Sequence, residues 1–368
     1  MHILLLGAGG FVGSHLVEHL VVRGEHTVTG VDITDEKLAG IASDRFTFHQ
    51  SDIRTPSRAT ERLIAKSDLV VDLVAYANPS MYVSSPLEVF ELNFDVNLAI
   101  ARLCIKHKKR LIQYSSAEVY GKAGTDTLCR EEESDSIFGP VTKSRWIYAT
   151  AKLLLERVIC AYGDAGDLEY TIVRPFNFIG TRIDYLVPPG AIGGPRVFPH
   201  FMSALLTRGP IRLVNGGLVH RAFLHIDDAN NAFQTLLDHP NETRNRVFNI
   251  GNPGNNVTIR ELAFVMMDLY RELTGEEPAS RVEEIDGEEF YGVGYEDGDR
   301  LPPDISRMRA LGWEPHFDLR ATLADVIRDY LVQADRLVCT STPGMTSTAE
   351  SRPMVLSRVP ETAVPGYR

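Results

Sequence analysis

An open α/β sheet of mostly parallel strands, doubly wound with helices on both faces and followed by a smaller C-terminal lobe, is the fold this sequence predicts. Three observations lead to it. Apolar runs of strand length recur near 2–6, 27–31, 46–49, 69–74, 110–114 and 169–173, and helical patterns separate most of them. The first run ends in a glycine-rich turn, GAGGFVG from Gly7 to Gly13, which opens directly into an amphipathic segment ending at Arg23. Strands that alternate with helices must return by right-handed crossovers, which makes the sheet parallel and puts ligand sites at the carboxyl ends of its strands.

The first element, Ile3 to Leu6, reads as a buried strand, and Gly7, Gly10 and Gly13 follow it at the spacing of a phosphate-binding turn. Without Cβ atoms such a turn lets the backbone approach a pyrophosphate, and free N–H groups at the next helix's N-terminus receive its charge. A second apolar run, Val28 to Val31, ends in Asp32, 19 residues beyond Gly13. An acid there accepts hydrogen bonds from the adenosine ribose hydroxyls, and no Arg or Lys follows it directly, so the cofactor expected is NAD rather than NADP.

After the run ending at Tyr114, Ser116, Ala117 and Glu118 fall at a strand's carboxyl end, and FGPVTKSRWIYATAK then closes on Tyr148 and Lys152. Spaced i, i+4, these two share one helix face. An ammonium beside a phenol is expected to lower its pKa and ready it to take a proton from an alcohol, with Ser116 orienting that hydroxyl. Trp146 and Ile147 read as core contacts of the same helix.

The glycine turn, Ser116, Tyr148 and Lys152, and the RPFN run at Arg174 to Asn177 together resemble the extended short-chain dehydrogenase/reductase family over about residues 1–335. Within it the chain is similar to the UDP-glucuronate decarboxylases, particularly the decarboxylase domain of the bifunctional polymyxin-resistance enzyme, and to the plant UDP-apiose/UDP-xylose synthases. PLEVFELNF, SSAEVYG, RPFNFIGTRID, NIGNP and EEFYGVGYEDGD carry that similarity. The resemblance implies cofactor contacts at Gly7, Gly10, Phe11, Val12, Gly13, Asp32, Asp52, Ile53, Ala75, Tyr148, Lys152 and Pro175. It implies UDP-sugar contacts at Tyr82, Arg145, Asn177, Arg212, Arg221 and Tyr295; Arg182 and Arg196 are candidates for the diphosphate, since a guanidinium binds phosphate oxygens bidentately. Catalysis would fall to Ser116, Glu118, Tyr148, Lys152 and an arginine near residue 300.

Three departures shape the expected chemistry. Nucleotide-sugar 4,6-dehydratases pair an Asp with the equivalent of Glu118, and Ala117 cannot donate a proton. Bacterial decarboxylases carry Ser at Ala117 and their arginine aligns without gaps on Leu301, so Arg300 would have to serve by a one-residue shift. Plant apiose synthases carry cysteines where Ala117 and Ser136 stand, which disfavours ring contraction. The expected activity is NAD-dependent oxidation at carbon 4 of a UDP-sugar, best UDP-glucuronate, with decarboxylation to a UDP-4-keto-pentose or UDP-pentose. A UDP-sugar 4-epimerase is the alternative enzyme, and an NAD-binding regulator the alternative outside enzymes.

Composition narrows the partners. With 368 residues and a net charge of −11, and only the short Lys106 to Arg110 basic cluster, the chain is expected to bind neither nucleic acid nor anionic membrane. No apolar run has spanning length, and the short apolar start is no signal peptide, so a cytoplasmic location is expected. Cys104, Cys129, Cys160 and Cys339 have no C-x-x-C spacing and read as reduced structural thiols. His15-Leu-Val-Glu-His19 matches a zinc-peptidase pattern, but it sits on the helix after the phosphate turn; packing, with no metal, is expected. The acidic Glu131 to Glu133 cluster reads as a solvated loop.

The domain reading is a dinucleotide-binding unit over 1–180, with a return segment at about 225–250, and a mainly substrate-binding lobe over 181–335. That lobe opens on Pro/Gly-rich turns and continues in helices near 197–207, 227–238, 258–274 and 318–335. Residues 340–368, rich in Ser, Thr and Pro, are expected to be a disordered tail. By resemblance, a homodimer through helices near 86–107 and 143–163 is expected.

Overall fold

The structure, a computed structural model, describes residues 1–55, 57–122, 128–191, 193–194, 196–298 and 302–340. Arg300, Leu301 and the expected tail beyond Thr340 lie outside the described residues; Thr340 itself ends a helix. Its strands in chain order are β1 His2–Leu6, β2 Thr27–Asp32, β3 Phe46–Gln50, β4 Leu69–Asp72, β5 Arg110–Tyr114, β6 Tyr170–Pro175, β7 Asn177–Ile179, β8 Ile211–Val214, β9 His220–His225, β10 Arg246–Ile250, β11 Asn256–Thr258 and β12 Val282–Ile285. The helices are α1 Phe11–Arg23, α2 Arg58–Lys66, α3 Pro79–Ser84, α4 Pro86–Phe90, α5 Asn97–His107, α6 Ile147–Asp164, α7 Val197–Thr207, α8 Ile226–Asp238, α9 Ile259–Thr274, α10 Gly287–Tyr291, α11 Ser306–Ala310 and α12 Leu319–Thr340.

Seven parallel strands form the main sheet in the order β10-β6-β5-β4-β1-β2-β3. The strand order reverses at β1, whose neighbours are β2 and β4, so the crevice outside its carboxyl end is the natural ligand site. The lack of alternation in β1 has a simple cause. Ile3 and Leu5 enter one core, with α1, α8 and α12, while Leu4 and Leu6 enter the other, with α5 and α6. A strand covered on both faces needs apolar residues throughout. Between α4 and α5 one turn of wider helix, Glu91–Val96, continues the same rod.

Local chemistry sets the helix ends. Ser57 caps α2 by accepting from the Thr60 N–H at 3.1 Å. Thr258 and Glu261 form a reciprocal capping box at the start of α9, and Gly275 ends that helix in the left-handed conformation. The C-terminal part also holds a three-stranded sheet, β11-β9-β7, and a β12-β8 pair. Among the described residues no helix is long and apolar enough to cross a membrane, and no group of three His, Cys, Asp or Glu side chains could hold a metal.

One sequence expectation is corrected here. Glu131 is not part of a solvated loop: its side chain is 5% exposed and its Oε1 accepts the Asn249 N–H of β10 at 2.9 Å. Glu132 and Glu133 do face outward, pairing with Arg307 and Arg130. Glu131 belongs to a buried polar network in which Arg174 grips Glu156 and donates to the Tyr120 hydroxyl, which in turn donates to Asn249. His15 is packed: its Nε2 meets the Thr181 carbonyl at 2.8 Å, and its Nδ1 faces the Arg182 guanidinium at 3.0 Å.

Candidate active site

The turn after β1 is built for close backbone approach. Gly7 adopts φ +85°, and a Cβ on Gly13 would collide with the Gly7 carbonyl, which fixes the helix start against the turn. Gly10 caps α1 with no side-chain hydrogen bond, so side chains leave the N–H groups around Phe11 and Val12 unclaimed. Asp32, at the end of β2, accepts from the Gly9 N–H at 2.8 Å and from Ile33 at 2.7 Å. Burial pushes its carboxyl up, and those N–H groups oppose the shift. Such a cradle fits a dinucleotide. Beyond it, Asp52 is held by Arg54 at 2.6 Å, Arg54 also reaches the Tyr76 hydroxyl, and Ile53 is buried. Ala75 follows β4, and Pro175 closes β6.

Tyr148 and Lys152 both lie buried on α6. Tyr148 stacks on Tyr82 with ring centroids 4.7 Å apart and planes 4° from parallel. Ser116, after β5, caps a short helical turn by accepting the Glu118 N–H at 3.2 Å, and its hydroxyl acts to lower the Tyr148 phenol pKa. The expected lowering of the tyrosine pKa by Lys152 is corrected: burial pushes the Tyr148 phenol up to about 12, and the opposing influences are Ser116 and the guanidinium groups of Arg145 and Arg196. Lys152 aims its Nζ at the Tyr114 carbonyl, 3.0 Å away, and burial lowers it to about 8.

On the other side of Tyr148, Arg145 and Glu118 form an ion pair at 2.6 Å, with Arg145 only 3% exposed. Burial works against the Glu118 carboxylate, but Arg145 and Arg221 outweigh it and hold the group below its ordinary value. Arg145 lies 4.6 Å above the Trp146 ring, and among the described residues its Nε and Nη1 have no hydrogen-bond partner. A Cβ on Gly298 would come 3.6 Å from Arg145 and 3.7 Å from Arg221, which places both guanidinium groups against one loop. Tyr295, on that loop, stacks on Tyr291 and donates to Asp297 at 2.8 Å.

The remaining candidates spread outward. Asn177 of β7 donates to the Ala222 carbonyl, and Arg221 of β9 lies one residue before it. Arg212 donates to the Gly190 carbonyl and lines a pocket with Pro188, His200 and Phe290. Arg196 pairs with Asp184 at 2.9 Å and lies 5.5 Å over the Phe11 ring, beside the glycine turn. Arg182 does not join this set: it pairs with Glu18 at 2.6 Å and donates to the Lys37 carbonyl, clasping α1. Two side chains at this site escaped the sequence reading. Asp72 ends β4 fully buried, and its signal was an acid inside the apolar run LVVDLVA. Glu296 accepts from the Trp146 indole at 2.6 Å and tethers the loop of Tyr295, with no local signal.

The family model that matches residues 3–251 is the NAD-dependent epimerase/dehydratase family. The chain belongs to that family. Consistently, it is 39% identical over 346 residues to a UDP-D-apiose/UDP-D-xylose synthase of Oryza sativa subsp. japonica, covering 87% of each chain. It is 37% identical over 361 residues to UDP-D-apiose/UDP-D-xylose synthase 1 of Arabidopsis thaliana, covering 91% of each. Among solved structures, the PbgP3 protein from Burkholderia pseudomallei superposes with a TM-score of 0.80 at 34% identity, covering 91% of this chain and 97% of that one. As a family member the protein is an NAD-dependent enzyme on the doubly wound fold.

Asp32 gives this family member a cofactor preference to measure. Its carboxylate would repel a 2′-phosphate, and neither Ile33 nor Thr34 offers a compensating charge. NAD should bind at least about tenfold more tightly than NADP in a fluorescence titration. Equal affinities, or a preference for NADP, would place Asp32 elsewhere than at the ribose.

Proposed function

We propose that this enzyme oxidises carbon 4 of a UDP-sugar, best UDP-glucuronate, and then releases the carboxylate as CO₂, leaving a UDP-4-keto-pentose or UDP-pentose. The observation that carries the reading is the ion pair of buried Arg145 with half-buried Glu118, near Tyr148 and Ser116. It puts a carboxylate and a guanidinium with unclaimed donors next to a general base. Relatives named as UDP-D-apiose/UDP-D-xylose synthases support the same substrate class.

Tyr148 takes the proton of the 4-hydroxyl, and Ser116 orients that hydroxyl. Held by the cradle of Gly7, Gly10, Phe11, Val12, Gly13 and Asp32, NAD supplies the hydride acceptor. A carbonyl at carbon 4 is β to the carboxylate. The carbon–carboxylate bond can then break with its electron pair moving onto the carbonyl oxygen, and a proton delivered to carbon 5 completes the 4-keto-pentose. Arg145 and Arg221 offer positive charge where that oxygen and the departing carboxylate bear negative charge. Asn177, Arg196, Arg212 and Tyr295 are assigned to the nucleotide and sugar, and 181–335, apart from the return segment, to the substrate side. We take the working form to be a homodimer through 86–107 and 143–163, where Leu87 and Leu154 stand exposed.

Incubation with UDP-glucuronate and NAD, followed by NMR of the sugars and CO₂ measurement, tests this directly. CO₂ with a five-carbon product is expected, and Arg300→Met should suppress it by about 10²-fold if Arg300 stands in for the arginine that Leu301 replaces. An intact six-carbon uronate with inverted carbon 4 would instead assign a 4-epimerase. No turnover of any UDP-sugar would leave an NAD-binding regulator.

A further inference from the structure

We propose that Asp72 is the buried counter-charge that keeps Lys152 protonated and aimed, a positioning residue acting on the reaction through Lys152. This rests on the reading of Tyr148 and Lys152 as the acid–base pair. Side chains along β4 alternate: Leu69 and Val71 enter the core with α1, whereas Val70 enters the core with α5 and α6. Asp72 is next in that alternation and projects to the second face. Lys152 sits on the same side, one turn before Leu155, which packs into that core from α6. Both lie toward the carboxyl ends of the neighbouring central strands β4 and β5. Lys152 donates to the Tyr114 carbonyl, and Tyr114 follows Gln113, the parallel-ladder partner of Asp72.

Both side chains are withdrawn from water: Asp72 is 0% exposed and Lys152 1%. Asp72 Oδ1 accepts the Val74 N–H at 3.1 Å, while among the described residues Oδ2 has no hydrogen-bond partner. An unpaired carboxylate oxygen at full burial is costly unless a cation compensates it. The charged and titratable groups around the pair leave one choice. Glu156, one turn beyond Lys152, is taken up by Arg174 at 2.6 Å. Tyr148, one turn before it, is a neutral phenol, and β5 contributes the neutral Gln113 side chain and the Tyr114 carbonyl. From α5, Cys104 faces Asp72 as a neutral thiol that burial and the Asp72 charge push up. Asp72 is therefore the one uncommitted anion facing Lys152 among the described residues. The electrostatics agree in direction: burial lowers Lys152 and raises Asp72 to about 6, and in each case the partner is the first opposing influence.

The sign of the effect follows. Removing the Asp72 charge lowers the pKa of Lys152, so its ammonium is lost at lower pH. In protein labelled with ¹⁵N-lysine, the Nζ signal that disappears in Lys152→Arg should titrate about one pH unit lower in Asp72→Asn, a tenfold loss in proton affinity. The alkaline limb of the pH–rate profile for UDP-glucuronate oxidation should move the same way. An unchanged Nζ midpoint in folded Asp72→Asn overturns the proposal. Should Asp72→Asn not fold, the reciprocal measurement decides: in Lys152→Met the ¹³C-carboxyl signal of Asp72 should titrate about one pH unit higher, and an unmoved midpoint overturns the proposal equally. If wild-type enzyme leaves UDP-glucuronate untouched, the proposed reaction fails while the two titrations still report on the Asp72–Lys152 pairing.

Discussion

Tyr148→Phe is expected to cut oxidation of the sugar by at least about 10³-fold while leaving NAD affinity close to wild type. The substitution removes one hydroxyl and little else. The ring stacked on Tyr82 at 4.7 Å stays in place, and Ser116 keeps the Glu118 N–H. What is lost is the only group in the Ser116–Tyr148 pair able to take the alcohol proton and carry a negative charge. Because burial holds the phenol at about 12, its reactive form is scarce at neutral pH, and wild-type oxidation should quicken as pH rises. That gain should fail once Lys152, held near 8, loses its proton. Stopped-flow absorbance of reduced cofactor measures the first effect, and a parallel NAD titration the second. Wild-type turnover in Tyr148→Phe would remove Tyr148 from the reaction.

The parts of the molecule that could be read in the sequence are those whose cause is local. β1, β2, β4, β5 and β6 carry apolar runs because parallel strands are covered on both faces, whereas β3, at the sheet edge, shows only through Phe46 and Phe48. Gly7, Gly13 and Asp32 are tied by steric and hydrogen-bond demands within one strand–helix–strand unit. β12 is different: VEEI, largely exposed, becomes a strand only because β8 lies beside it, 71 residues earlier in register. Glu131 reads as solvated until Asn249, 118 residues away, supplies the N–H that justifies its burial. The same holds for the tyrosine pKa. Spacing puts Tyr148 and Lys152 on one helix, but how far each is buried, and which acceptor the ammonium finds, depends on β4 and β5. Arg182 and Arg196 share a Pro/Gly-rich segment and look alike in sequence, yet Glu18 draws one to the outer side of α1 and Asp184 leaves the other beside Phe11.

Arg145→Met is expected to lower kcat/KM for UDP-glucuronate by about 10²- to 10³-fold, the effect of deleting one preorganised charged donor from a buried site. The apolar stem is largely retained, while the guanidinium that lies over Trp146 is removed together with its charge. Glu118 loses its 2.6 Å partner while remaining half-buried, with Arg221 as its remaining cation, so its carboxyl pKa must rise. If the reaction needs Glu118 ionised, the acid limb of the pH–rate profile should move to higher pH. A lysine at the same position separates charge from shape. Arg145→Lys restores a cation near Glu118 but not the planar fork whose Nε and Nη1 are free to meet the substrate, so its acid limb should stay near wild type while kcat/KM remains depressed. A profile that moves equally in both variants would mean that Arg145 acts through the fold of the α6 entrance alone, and wild-type kcat/KM in Arg145→Met would remove the ion pair from substrate recognition.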